Sequence, residues 1–575
     1  MHWQDNSYLV GVMMVRYSLT YQQPHRHFIS FEAVFPVHGD FLELQLPAWR
    51  PGRYELGNFA KNLRGVRATS PDGEVLPIQK LSKDRWRIET GGQDYVRWNY
   101  EYYAAEINAG STFLSQDLVY VNPVNCFFYD PSADNGYEIS LNLPMDYCLV
   151  TSLRTEGRDV LLASSFDELA DSPFMASQDI VTWEYESNNV PFFIHIWGKT
   201  LPEKERMLKE FRAFTDVHFQ IFDTIPCDQY HFMFLFPDIP VRHGVEHQKS
   251  TVIAMGPSAG ILEENRYNEL LGISCHELFH TWNVKYIRPA EMKPYDFTRE
   301  NYAATGYVYE GVTTYYGDLL LWRSGVFSDT QFFAILASTI RQHLDNEGRF
   351  NLSVADSSWD TWLDGYVPGV PWRKVSIYNE GALLTFICDI GIMKATDMQR
   401  SLDDVMKLLY NDKGIIESGY TARDYQLAME KVAGISFVDL FANCFHGTAD
   451  YLPYLKEALQ WLGLELNFVT DTDLWHSKLG IRYSKDAGGN IVVEGVMPGC
   501  PADRAGLWKG DIITKVNGAA PDTNSLPDQF HIEWQSYGVD RKAEIKTDGR
   551  TYYDIPGIQP LSDQRSFQFW KFRQK

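Results

Sequence analysis

The chain has 575 residues, room for three or more domains of ordinary size. Its hydrophobic share of 45% and charged share of 22% are those of a globular protein and exclude a disordered or fibrous chain. With Lys+Arg at 52 and Asp+Glu at 75 the formal charge is −23, which repels nucleic acid and anionic membrane surfaces. No basic stripe reverses that balance, and no apolar run approaches the ~20 residues of a membrane span.

The N-terminus, Met1-His2-Trp3-Gln4-Asp5, lacks a basic stretch followed by an apolar core, so a soluble, cytoplasmic chain is expected. Residues 1–198 read as an all-β domain. Val15-Arg16-Tyr17-Ser18-Leu19-Thr20-Tyr21 and Phe28-Ile29-Ser30-Phe31-Glu32-Ala33-Val34-Phe35 alternate polar and apolar residues. Pro71-Asp72-Gly73 and Asp134-Asn135-Gly136 mark turns, and Pro47 to Tyr54 form a Pro/Gly-rich loop. A β-sandwich that walls one side of a cleft suits this pattern.

The pattern changes near Trp197. Helical apolar spacing runs from Glu203 to Phe222, followed by two β-like runs, His231–Phe236 and Ser250–Met255. A helix is expected from Glu264 to Val284, and mainly helical structure from about 300 to 465. A small β region and a helical region flanking one central helix suit a thermolysin-like α+β catalytic domain over 199–468.

The central helix carries His276-Glu277-Leu278-Phe279-His280. Residues four apart share a helix face, so both imidazoles can address one metal ion, with Glu277 placed to take a proton from water. A catalytic zinc needs a third protein ligand and an open position. Glu310, on a segment expected to run back beside the helix, is the leading choice; Asp296, Glu300 and His247 are weaker ones. Thr314 and Asn283 are candidates for supporting the ligands from behind. The seven cysteines form no C-x-x-C pair, which argues against a cysteine zinc site or a disulfide framework.

From residue 469 the chain reads as a further domain. Lys478-Leu479-Gly480-Ile481, Ile491–Val496, Pro498–Leu507 and Lys509–Gly518 follow one another as strand, strand, turn with short helix, and strand. This succession resembles a PDZ domain of the bacterial type. The resemblance implies binding of a peptide or C-terminal tail by strand addition, with Leu479, Gly480 and Ile481 as the carboxylate loop.

The motif with its sequel, His-Glu-Leu-Phe-His-Thr-Trp-Asn-Val-Lys, then Ile287-Arg288-Pro289 and Glu310-Gly-Val-Thr-Thr-Tyr-Tyr-Gly-Asp, resembles the PDZ-containing glycyl aminopeptidase family. These are gluzincin zinc metallopeptidases, and the order of domains is similar over nearly the whole chain. The resemblance implies one zinc ion, aminopeptidase activity and a preference for small N-terminal residues such as Gly or Ala. It implies that Glu246, in Gly244-Val245-Glu246, holds the substrate's free amine, with Gly244 beside it. It implies that Tyr378, in Tyr378-Asn379-Glu380-Gly381, donates to the oxyanion. His243 stands where the family usually has a first glycine, which would narrow the first subsite or alter its hydrogen bonding, and Glu380 stands where lysine is common, a charge reversal near the site. Two other readings stay open: a catalytically impaired peptide-binding protein acting through its PDZ domain and cleft, and an endopeptidase of the same fold.

Overall fold

The computed structural model describes residues 13–367, 369–523, 525–561 and 565–573; the N-terminal reading above falls on residues outside these. The chain forms two compact units. The first comprises residues up to Phe327 with Ser358–Pro368 and Arg400–Ile435. The second comprises Ser328–Ser357, Gly369–Gln399 and Ser436–Lys575.

The first unit opens with β structure. An eight-stranded sheet includes Met14–Thr20, Phe28–Pro36 and Tyr95–Tyr103. Three-stranded and four-stranded sheets pack on it around a core of Tyr17, Phe31, Trp98, Phe127, Phe128 and Phe174. Alternation decides the register: in Phe28–Pro36 the residues Ile29, Phe31, Ala33 and Phe35 are buried, and Phe31 stacks on Tyr100 at 4.9 Å.

A five-stranded sheet follows, in the order Val181–Ser187, Val190–Gly198, Tyr230–Phe236, Ser250–Gly256, Val241–Glu246. Its central strands, Tyr230–Phe236 and Ser250–Gly256, are buried at every position, as strands covered on both faces must be. The first two strands belong by sequence to the stretch read as the N-terminal domain, yet they pair here: Val190–Gly198 runs parallel to Tyr230–Phe236. Among the described residues Val241–Glu246 pairs only with Ser250–Gly256 and forms the sheet's edge.

The helix Glu264–Phe279 buries Tyr267, Leu270, Leu271, Ser274, Cys275 and Leu278 along one stripe. It ends earlier than expected, with His280 as its C-cap. Tyr307–Val312 is a π-helical turn running into the helix Thr313–Arg323. That helix lies against the first one, and Gly317 permits the approach: a Cβ there would stand 3.1 Å from the Cβ of His276.

The second unit contains the helices Asp329–Asp345, Ile377–Ala395 and Leu452–Trp461 and a five-stranded sheet from Ile481–Lys485 to Val539–Lys546. The core of that sheet is Trp475, Leu479, Ile481, Val493, Ile513 and Ile532. Within this unit Arg341 pairs with Asp471 at 3.1 Å and Asp345 with Arg482 at 2.7 Å. All seven cysteines are free, and only Cys148 is exposed. Among the described residues no helix is long and apolar enough to cross a membrane.

Candidate metal centre and peptide cleft

His276 sits in the last turn of Glu264–Phe279 and His280 caps it, so the helix delivers both rings to one point. Their Nε2 atoms are 3.0 Å apart. Glu310 Oε2, carried in on the π-turn, lies 3.6 Å from His276 Nε2 and 3.4 Å from His280 Nε2. Ligands at ~2.0–2.1 Å from a tetrahedral zinc stand about 3.4 Å apart, so these three donors fit that ion. Two of the other donors considered in the sequence are engaged elsewhere: Asp296 with Thr298 and Arg299, and His247 with Asp171.

His280 Nδ1 is 2.8 Å from the carbonyl oxygen of Asn283. Donation there fixes the ring's tautomer and leaves Nε2 free as a ligand. The side chain of Asn283 donates to the Val308 carbonyl at 2.9 Å and to Thr313 Oγ1 at 3.0 Å, which ties the loop after the motif to the π-turn. Thr313 Oγ1 is also 3.5 Å from His280 Nδ1. The hydroxyl expected in this place was that of Thr314, whose Oγ1 is buried without a hydrogen-bond partner among the described residues. Both threonines follow Glu310 within one helical turn, and the π-turn brings Thr313 to the ligands.

Glu277 is buried, and its Oε2 has no hydrogen-bond partner among the described residues. Burial pushes its carboxyl well above the usual range; His280 opposes this, and Glu246 and Glu310 add to it. Burial also raises Glu310, but the imidazoles of His280 and His276 overcome it and hold that carboxyl low. Burial lowers His280, and Glu310 and Glu246 overcome that to raise it. A divalent cation held by these residues would compete with protons for them, since histidine and carboxylate ligands must be deprotonated.

Glu246 ends the edge strand, is 3% exposed and has an Oε1 without a hydrogen-bond partner among the described residues. Side-chain ligand atoms of Glu246, Glu277 and His280 lie within 4.8 Å of one another. Two glycines make room here. A Cβ on Gly244 would collide with Glu277 Oε1 and Ile273, and one on Gly52, at φ +80°, would collide with Glu246 Oε2. Gly244 thus serves the close approach of strand to helix. His243 faces the other side of the strand, 3.2 Å from Asn108 Oδ1 and 3.2 Å from an Arg50 guanidinium nitrogen.

One support had no signal in local spacing. Asp171 Oδ1 accepts from Lys285 Nζ at 2.7 Å and lies 3.2 Å from His247 Nδ1, while Oδ2 accepts from the Gln248 amide at 2.9 Å. One carboxylate from the N-terminal β region thereby ties the residues after Glu246 to the loop after the motif helix.

Tyr378 lies half-buried in the first turn of Ile377–Ala395, in the second unit. Glu380 is buried and engaged within that unit by His343 Nδ1 at 2.8 Å and by the Tyr451 hydroxyl. In the PDZ region Gly480 turns the chain at φ +78° and its carbonyl accepts from the Met497 amide at 2.9 Å. Leu479 and Ile481 point into the core, so only the backbone of this loop is placed for a ligand, and Ile481–Lys485 is an edge strand.

Comparison with known proteins finds matches to the domains and to the fold. The M61 glycyl aminopeptidase model matches residues 269–384, the Peptidase M61 N-terminal domain model residues 16–178, and a PDZ domain model residues 492–527. A crystal structure of an aminopeptidase N family protein from Idiomarina loihiensis is similar with a TM-score of 0.90 at 22% identity, covering 97% of this chain and 100% of that one. An M1 zinc metallopeptidase from Deinococcus radiodurans gives a TM-score of 0.46 at 13% identity, over 76% of this chain and 94% of that one. A comparison with curated proteins finds no significant relative. The matched domains define a metallopeptidase, a hydrolase acting on peptides, with a PDZ domain after its catalytic domain. The chain belongs to the M61 glycyl aminopeptidase family.

Proposed function

We propose that the protein is a zinc-dependent aminopeptidase that removes small residues such as Gly or Ala from peptide N-termini. The observation that carries this reading is Glu246: a buried carboxylate with a free oxygen, beside Glu277 and His280, at the end of a strand with an open edge. An extended peptide adding to that edge would bring its ammonium to Glu246. Charge supports it too. Ionised, Glu246, Glu277 and Glu310 carry three negative charges, which one dication and one ammonium neutralise.

His276, His280 and Glu310 would hold the zinc, which supplies a Lewis acid for the scissile carbonyl and a lowered pKa for the attacking water. Glu277 Oε2 accepts the water's proton and returns it to the leaving amine. Glu246 fixes the first residue by its ammonium, so cleavage falls after that residue. Tyr378 keeps the role of oxyanion donor that the family resemblance implies. A cytoplasmic setting and a peptide ligand for the PDZ edge strand are parts of the same proposal.

The test compares alanyl and glycyl p-nitroanilides with their N-acetylated forms, on zinc-loaded wild type and Glu277→Gln. The wild type should cleave only the free-amine substrates, and the variant should bind zinc without turnover. Equal cleavage of the acetylated forms would replace this reading with an endopeptidase; zinc binding without any cleavage would favour a binding protein.

A further inference from the structure

A cavity of about 540 Å³ lies in the first unit. Arg50, Arg53, Glu55, Glu106, Asn108 and His243 are among the residues that line it. The loop Arg50-Pro51-Gly52-Arg53 joins it to the cleft, since Gly52 abuts the Glu246 carboxylate while Arg50 and Arg53 face the cavity. Arg53 is paired with Glu55. Arg50 is different: it is 5% exposed, and among the described residues its side chain's hydrogen-bond partners are the Pro51 carbonyl at 3.3 Å and His243 Nε2 at 3.2 Å. Among the described residues no carboxylate forms an ion pair with it. A Cβ on Gly110 would collide with the guanidinium, so the fold clears a place for this side chain.

A buried guanidinium without a carboxylate is costly unless a ligand supplies one. Burial pushes the Arg50 pKa down, and Glu246 is the leading charge that offsets it. Yet the proposed reaction brings an ammonium to Glu246, which removes that offset. With Arg50 counted, the three glutamates, a dication and a substrate ammonium leave one positive charge in excess. A second group on the substrate, negatively charged, would balance it.

We infer that Arg50, which lines this cavity, binds a carboxylate carried by the substrate. The inference rests on the aminopeptidase reading and narrows its substrate class. Two sources share this chemistry. One is the C-terminal carboxylate of a di- or tripeptide. His243 stands three residues before Glu246 on the edge strand, about 10 Å at the usual rise, a span that a short antiparallel peptide covers. The other source is an acidic side chain on the first residue.

The experiment measures binding by calorimetry to zinc-loaded Glu277→Gln protein, which separates affinity from turnover. Ala-Ala is compared with Ala-Ala amide, and Asp-Ala amide with Asn-Ala amide. At least tenfold tighter binding of the acid in the first pair supports the inference with a C-terminal source; the same preference in the second pair supports it with a side-chain source. In either case Arg50→Gln, added to Glu277→Gln, should bring the ratio to within twofold, and Arg50→Lys should restore part of it. Equal binding within both pairs overturns the inference without needing any Arg50 variant, and so does a preference that survives Arg50→Gln. Wild type that cleaves Ala-Ala amide while neither pair is discriminated loses only this inference; wild type that cleaves acetylated peptides and not Ala-Ala amide loses the aminopeptidase reading itself.

Discussion

The substitution Asp171→Asn tests how the cleft is held together. The Lys285 side chain has no exposure and that of Asp171 has 16%, and the pair is 2.7 Å apart. Removing one member of a buried pair costs ~3–5 kcal/mol, because the remaining charge stays buried and unpaired. Asparagine keeps one acceptor oxygen, for Lys285 or for the Gln248 amide but not for both, so part of the pairing survives and the lower end, about 3 kcal/mol, applies. At ~2 °C per kcal/mol for a large domain, the unfolding midpoint should fall by about 6 °C. His247 and Gln248 directly follow Glu246, so KM for an alanyl p-nitroanilide should rise ~3–10-fold, with kcat less affected. Lys285→Met in the Asp171→Asn background should recover most of the stability, since an apolar side chain removes the unpaired charge. Burial raises the Asp171 carboxyl, but Lys285 and His247 overcome it and hold the group below the usual range. Its contribution is therefore complete above the unfolded value of ~3.9 and is lost as pH falls through the lower folded value, so the difference between the proteins should be constant from pH ~5 to ~8. Scanning calorimetry and steady-state kinetics read both effects. An Asp171→Asn protein with the wild-type midpoint and KM would refute the reasoning.

Three further outcomes are expected. Thr313→Val should weaken zinc binding ~10-fold or more in a chelator competition, whereas Thr314→Val should leave it near the wild-type value. Gly244→Ala should lower kcat ~100-fold with zinc content retained, because the added methyl displaces Glu277 from its position. Glu380→Gln should lower the thermal stability by ~1–3 kcal/mol through its bonds to His343 and Tyr451, with KM unchanged in steady-state kinetics; a change in KM would give Glu380 a role at the cleft instead.

The residues legible in the sequence are those whose partners lie one helical turn or one strand away. His276, Glu277 and His280 follow from helix periodicity, and the structure brings Glu310 and Glu246 to them. Thr313 escaped because a π-turn is invisible to a period of 3.6 residues and changes which hydroxyl meets the ligands. His243 and Glu380 read as departures close to the chemistry. The first faces away from the motif helix, and the second is satisfied by a histidine 37 residues earlier. Asp171 and Arg50 reach the site from the β region by long-range packing, which no local pattern encodes.

The five-stranded sheet bears on how this family's parts can be recombined. Its first two strands, Val181–Ser187 and Val190–Gly198, precede the stretch that looks catalytic by sequence, yet they complete that stretch's own sheet. A fragment begun at residue 199 would expose the flank of a fully buried, apolar strand, a template for aggregation. Chimeras that exchange the N-terminal region should therefore be spliced ahead of Val181. Even so, each exchange carries away Gly52, Arg50 and Asp171 together. The donor of the β region would thus supply part of the wall around the substrate's first residue, and selectivity should travel with it.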